Sequence, residues 1–435
     1  MAQVPVRNLA VDFYRVTGVV LIVFGHWLAG SVTYRDGSFG RQNPLLDQPW
    51  TQWLTWIFQA VPVFFLVAGY AAAVSWGRRR ADDEMSNQTW VRRRLARVLG
   101  PSTAYVVLIS ACVVASESAG ASGSLLEYAG WAVAMHLWFL AVYVIVVPLT
   151  PIAIAAQRRC GLLVPAVLAL GVAAVDVTSL VGHVPYLGWL NYLLCWGLLY
   201  QLGIAWQSGL LAGYRAVFLG AGSAGALWLL IWLGPYPVSM IGVPGQVVQN
   251  TEPPSLAMAA FGCAQAGLVI GLAPVINRAL RPDAIQRMLS RANTNVMALY
   301  LWHMIPVVIV AVVAYPAGLL PQPDEGGIAW WLGRLEWLAI LNLVTAAELA
   351  LLWWGRRIFA APLAGIDALG ARWTQPLTMV GTLMASYGLA FLAAEGFAPY
   401  GHFPWATVAV FILGVLLVAL RPRESARAQP TPLSH

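Results

Sequence analysis

The sequence predicts an all-α fold, a polytopic transmembrane helical bundle of about 10–12 spans with both termini cytoplasmic, from three observations. Only 10% of its residues are charged and 60% are hydrophobic, whereas soluble domains carry about 25% charged residues. Water cannot solvate a surface with so few charges; a bilayer requires none. Apolar runs of spanning length recur along the whole chain. The 25 basic residues are all arginine and gather in the connections that fall on one side of those runs.

A membrane core about 30 Å thick takes about 20 mainly apolar residues in a helix. Runs that meet or approach this length lie near 9–30, 54–76, 98–115, 128–149, 162–181, 186–206, 216–234, 256–276, 294–315, 330–354, 374–396 and 405–420. The first run carries Asp12 and Arg15, three apart and so able to pair on one helical face. His26 follows Arg15 by eleven residues. That is about three turns, roughly 16 Å, and within about 20° of the same face. An ionisable group at the bilayer centre costs about 2.5–3.5 kcal/mol on insertion scales, which makes such residues candidates for function. Spacing alone fits equally a helix-end charge pair with a hydrogen-bonded core histidine.

The second run holds Pro62 and the small-residue step Val67-Ala68-Gly69, a pattern of kinking and close helix packing. Ahead of the third run stand Arg78, Arg79, Arg80, Arg92, Arg93, Arg94 and Arg97. These are a topology signal, and Arg93 and Arg97, four apart, are also spaced to grip phosphate. The fourth run contains His136 and Trp138. Gly182-His183-Val184-Pro185 joins the fifth and sixth, and Tyr300 and His303 share a face of the ninth. Glu348 lies inside the tenth and must be protonated, paired or facing water. Asp176 and Glu395 are nearer outer ends, where solvation suffices. A lone intramembrane histidine often only bridges helices, but three histidines in three spans are harder to dismiss together.

Arginine placement sets the orientation. With the N-terminus inside, connections 77–97, 158–159, 215, 278–291 and 356–372 are cytoplasmic, and only Arg35, Arg41 and Arg334 fall outside or near the outer boundary. An even number of spans then returns the C-terminus to the cytoplasm. Asp12 and Arg15 interrupt the first apolar run, so it lacks a signal-peptide layout. The outer connection 31–50 is too short for an independent core, which leaves function to the bundle and its faces. The cell inner (plasma) membrane is the expected location, and arginine without lysine fits a high-GC bacterial genome of the actinobacterial kind.

Several functions are excluded. The net charge of +7 comes from arginines dispersed among apolar runs, which points to a bilayer and not to nucleic acid. The four cysteines have no CxxC spacing and read as packing residues. No HxxxH or HExxH supplies two metal ligands from one turn, so no metal site is expected. Gly220, Gly222 and Gly225 spell GxGxxG within an apolar run and read as helix-packing glycines. No GxSxG elbow or GxxxxGK[ST] loop occurs, which removes a serine hydrolase or P-loop NTPase.

Five blocks, taken together, resemble the acyltransferase 3 family of integral-membrane acyltransferases, which includes bacterial O-antigen and cell-envelope acetyltransferases. Leu9-Ala10-Val11-Asp12-Phe13-Tyr14-Arg15, continued to Val23-Phe24-Gly25-His26, is similar to the family's first-helix aspartate, arginine and histidine. Phe64-Phe65-Leu66-Val67-Ala68-Gly69-Tyr70 is similar to FF-x-x-SG-[FY], with Ala68 replacing the usual serine. Arg94-Leu95-Ala96-Arg97-Val98-Leu99-Gly100-Pro101 resembles R-x-x-R-[IL]-x-P, with Gly100 as an extra residue. His136-Leu137-Trp138-Phe139-Leu140 is similar to H-x-WFL, and Tyr300-Leu301-Trp302-His303-Met304 to a late YLxH segment.

The resemblance implies transfer of an acyl group, usually acetyl from acetyl-CoA, to a hydroxyl of an extracytoplasmic glycan or glycolipid of the cell envelope. It assigns the catalytic base to His26, with Arg15 and neighbouring Asp12 in the same machinery. Donor binding falls to Arg93, Arg94 and Arg97, and acceptor-side candidates are His136, Trp138, Tyr300, His303 and Glu348. Acyl-CoA is a co-substrate, and no tightly bound cofactor is implied. CoA phosphates suit arginines, and a neutral imidazole can take the hydroxyl proton, a role typically contributing about 10²–10⁴-fold. The expected organisation is an acyltransferase core over 1–354, additional spans over 355–420 and a disordered tail over 421–435. A secondary transporter is the rival, although the two halves of the chain show no clear repeat. A polyprenyl-linked glycosyltransferase would want an acidic pair in the first outer loop, which offers only Asp36 and Asp47.

Overall fold

The computed structural model describes residues 7–79, 86–184, 186–369 and 371–422. Arg80, Pro185 and the expected tail beyond residue 422 lie outside the described residues. Among the described residues, fifteen helices of ten or more residues carry the fold. In chain order they are α1 (Leu9–Ala29), α2 (Val61–Arg79), α3 (Asn87–Ser118), α4 (Gly123–Ala132) and α5 (Leu137–Val146). There follow α6 (Thr150–Cys160), α7 (Leu163–Gly182), α8 (Leu190–Gln207), α9 (Tyr214–Leu233) and α10 (Leu256–Ala279). The last are α11 (Asp283–Trp302), α12 (Ile305–Ala314), α13 (Ile328–Trp354), α14 (Ala371–Glu395) and α15 (Trp405–Ala419). Two short strand pairs complete it: antiparallel β1 (Ser31–Arg35) and β2 (Ser38–Gln42), and parallel β3 (Ile366–Leu369) and β4 (Leu420–Pro422).

Among the described residues, nine helices are long and apolar enough to cross a membrane, or ten if the bent pair α11–α12 is one span. The protein is therefore an all-α, multi-pass membrane bundle. Two expected runs form the shorter helices α8, of 18 residues, and α15, of 15. The expected ninth span is not continuous: α11 and α12 meet at 52°. Pro306, second in α12, has no N–H for the carbonyl of Trp302 and clashes with it, so the ladder breaks at His303–Met304. The expected fourth span also breaks, at Val133–His136, and restarts at Leu137. In the second span the helix is interrupted at Gln59–Ala60, just ahead of Pro62, which has no N–H for the Phe58 carbonyl. Pro62 is the second residue of α2, where a missing N–H costs nothing.

The chain divides into two compact units, one of residues 1–83 with 149–353, the other of residues 84–148 with 354–435. In the first unit, α2 packs on α8, α9 on α10, and α1 against α2, α10 and α11. The α2–α8 contact is backbone to backbone. A Cβ on Gly69 would overlap the Tyr200 carbonyl, and one on Gly203 would overlap that of Leu66. Without a hydrophobic drive between helices in lipid, such small-residue approaches supply the dispersion contact. Gly267 of α10 seats on Gly220 of α9 in the same way, whereas Gly222 and Gly225 face open space and pack nothing, contrary to expectation. Val167, Leu170, Phe218, Trp228 and Leu233 are exposed on α7 and α9, as lipid-facing side chains should be.

Asp176 is not a solvated end residue: it is buried, and its Oδ2 accepts from Tyr236 Oη and from the first amide of α10, Leu256 N, both at 2.7 Å. A carboxylate beside a free helix-start amide satisfies an orphan donor and complements the dipole.

In the second unit, α14 packs against α15 and α5, and Ser386 Oγ donates to the Ala141 carbonyl at 2.8 Å. Gly100 has a physical reason here. Residues 361–363 cross α3 where a side chain at 100 would overlap Ala361, and Leu363 N donates to Ala96 O at 2.8 Å.

Candidate active site

The start of α1 is fastened to two neighbouring helices, α10 and α2. Asn277, near the end of α10, accepts from Ala10 N at 3.0 Å and donates to Asn8 Oδ1 at 2.9 Å. Asn8 in turn donates to Tyr70 Oη at 3.2 Å, which gives the second-helix Gly69-Tyr70 pair its place beside the first. Ala10 N is one of the amides an α-helix cannot satisfy internally, so this asparagine acts as a cap supplied from another helix.

One turn on, Asp12 and Arg15 meet as their spacing requires, Arg15 Nη1 lying 3.6 Å from Asp12 Oδ1. Arg7 holds the other carboxylate oxygen at 2.7 Å. Asn293 of α11 joins the pair, donating to Asp12 Oδ1 at 3.3 Å and accepting from Arg15 Nη1 at 3.2 Å. A lone asparagine is an ordinary polar residue in sequence, and only its position against α1 gives it meaning.

Ten residues beyond Asn293, on the same side of α1, His303 meets His26, with Nε2 of His303 2.8 Å from Nδ1 of His26. Their rings are 17° from parallel with centroids 5.1 Å apart. Two imidazoles joined nitrogen to nitrogen in one plane have centroids about 5 Å apart at hydrogen-bond distance, so the rings lie edge to edge and not face to face. The break at Met304 creates this contact by ending α11 at the histidine. His303 is fully buried; its Nδ1 lies 2.8 Å from the Tyr300 carbonyl, and its own carbonyl accepts from Trp27 Nε1 at 2.8 Å. His26 is only partly buried, and its Nε2 has no hydrogen-bond partner among the described residues.

Arg334 of α13 locks this end of α1. It is 6% exposed, and Nη2 donates to the carbonyls of Trp27, Leu28 and Gly30 at 2.9, 3.0 and 2.8 Å. These are orphan acceptors at the negative end of the helix dipole. Arg334, one of the three arginines expected outside or near the outer boundary, is thus a buried helix cap. An arginine inside an otherwise apolar run was the available clue.

The remaining candidates lie on other elements. Glu348 lies on α13 with both carboxylate oxygens shielded and without a hydrogen-bond partner among the described residues. His136 and Trp138 belong to the second unit, where His136 is 1% exposed at the start of α5 with the Tyr105 ring edge-on at 5.8 Å. Arg93 and Arg97 are exposed on the first turns of α3, and Arg94 is half-buried with its guanidinium 5.1 Å from the Trp90 ring centre.

The fold and this cluster define a multi-pass membrane bundle whose first helix carries an ion pair and a partly buried histidine that meets a buried second histidine. The family model described as an acyltransferase domain, acyltransferase 3, matches residues 8–353, and the chain belongs to that family. No curated protein and no solved structure matches it.

Proposed function

We propose that this membrane acyltransferase moves an acetyl group from acetyl-CoA to a hydroxyl of an extracytoplasmic glycan or glycolipid of the cell envelope, with His26 as general base. The observation that carries this is the His26–His303 contact, which occupies one nitrogen of His26 and leaves Nε2 without a hydrogen-bond partner among the described residues, on a side chain that is not fully buried. In the step, the hydroxyl oxygen attacks the thioester carbonyl while His26 Nε2 accepts its proton. The C–O bond forms, the C–S bond breaks, and the proton passes on to the departing CoA thiolate. Arg15, neutralised in part by Asp12, holds the cytoplasmic end of the same helix face.

Donor recognition is assigned to Arg93, Arg94 and Arg97, since two exposed guanidiniums four residues apart suit pyrophosphate. His136, Trp138 and Glu348 are assigned to the acceptor side. The inner (plasma) membrane with cytoplasmic termini is the setting that the arginine distribution supports. Residues 355–420 lie beyond the family match and are taken as an addition to the core.

The test is acyl transfer in proteoliposomes loaded with envelope glycolipid extract, using acetyl-CoA labelled in the acetyl group. Label should enter the glycolipid fraction, and His26→Ala should reduce this at least about 10²-fold while the protein remains folded. Turnover of His26→Ala near that of wild type would remove the base assignment. Solute counterflow without any acyl-CoA would mark a transporter.

A further inference from the structure

We propose that His303 is a positioning residue that fixes His26 in the tautomer with its proton on Nδ1, so that Nε2 presents a lone pair; this rests on His26 being the base. The Tyr300 carbonyl can only accept, so the 2.8 Å contact requires His303 Nδ1 to carry a hydrogen. In a neutral imidazole the second nitrogen is then an acceptor, and His303 Nε2 is that acceptor. The partner 2.8 Å away, His26 Nδ1, must therefore donate. By the same rule, neutral His26 has its lone pair on Nε2. One backbone carbonyl thus decides, two rings away, which nitrogen of the base is basic.

Three features make this a relay and not a chance contact. The rings are nearly coplanar, so the N–H of one points along the lone pair of the other. His303 is held at both ends of the residue, through Nδ1 by Tyr300 and through its carbonyl by Trp27 Nε1. Tyr300 and His303 are three apart in the last turn of α11, and the break at Met304 keeps the ring facing α1. When His26 Nε2 takes the substrate proton, the imidazolium still donates through Nδ1 to a neutral acceptor. His303 then stabilises the charge without exchanging a proton, the part a carboxylate takes in a serine-protease triad. A neutral partner suits a low-dielectric site, where a buried carboxylate would need further hydrogen bonds to remain ionised.

The experiment combines one spectrum with two variants. Histidine-selective ¹⁵N NMR of the full-length protein in nanodiscs, with His26→Asn as the assignment control, should show His26 protonated at Nδ1 and bare at Nε2. His303→Phe keeps the ring volume and removes the acceptor; it should lower kcat by about 10²–10⁴-fold with little change in KM. His303→Gln returns an acceptor oxygen and should recover at least about tenfold of that loss, which a packing role would not produce. A wild-type spectrum with His26 protonated at Nε2 overturns the relay, as does a folded His303→Phe protein with wild-type kcat. Neither result touches the base assignment, which fails only if His26→Ala stays active.

Discussion

Replacing Arg334 with methionine tests how the reactive end of α1 is held. Methionine keeps most of the apolar stem and removes the guanidinium. Nη2 carries two hydrogens but faces three carbonyls, so two full hydrogen bonds are the most it makes at once. A hydrogen bond to a charged group contributes about 1.5–3 kcal/mol. The position at the helix C-terminus adds about 0.3–1 kcal/mol. Against this, Nε is buried without a partner among the described residues, and deleting it relieves a penalty of about 1–3 kcal/mol. At the midpoints of these ranges the net expectation is a loss of about 3 kcal/mol, concentrated in the last turn of α1. Hydrogen exchange by mass spectrometry should show the amides around Trp27–Gly30 losing protection, with the middle of α1 unchanged. Acyl transfer should fall as well, because Trp27 also fixes His303. Lysine, with three donors but no fork, should recover part of the protection. Unchanged exchange in this turn would refute the capping role, and uniform loss throughout α1 would refute its locality.

Three further outcomes are expected. Gly69→Ala forces a methyl into the Tyr200 carbonyl and should cost about 1–3 kcal/mol, read as an earlier melting transition in detergent; Ala68→Ser, one position away, should not. Asn293→Ala removes the amide that bridges Asp12 and Arg15 and should cost about 1–3 kcal/mol in thermal unfolding, with a smaller effect on turnover than His26→Ala. Burial, and then the neighbouring Asp47, hold the Glu325 carboxyl up at about 7. The folded state therefore binds that proton more tightly than the unfolded chain, so its contribution to stability is present on the acid side and lost as pH rises through about 7. Melting temperature measured across pH 5–8 should fall with this inflection in wild type and lose it in Glu325→Gln.

The sequence by itself determined the membrane class, because a chain with 10% charge cannot be solvated by water. It also determined the pairing of Asp12 with Arg15 and the common face they share with His26, since both follow from helical pitch along a single element. The Gly69 step was equally legible, as a small residue within an apolar run has few uses other than close approach. Tertiary structure decided everything that depends on which helix lies beside α1. The sequence placed Tyr300 and His303 on one face of one span, but the partner of His303, and hence the direction of its proton, required α11 to end against His26. That ending comes from Pro306 acting one turn upstream, a break that hydropathy averages away. Asn293 was invisible as a site residue for the same reason, and Arg334 stood out only as an arginine in an apolar run. Their role is to satisfy polar groups of another helix, and which backbone carbonyls or carboxylates lie within hydrogen-bond reach is set by packing across nearly 300 residues of chain. Periodicity reports the face a residue occupies; only packing reports what that face meets.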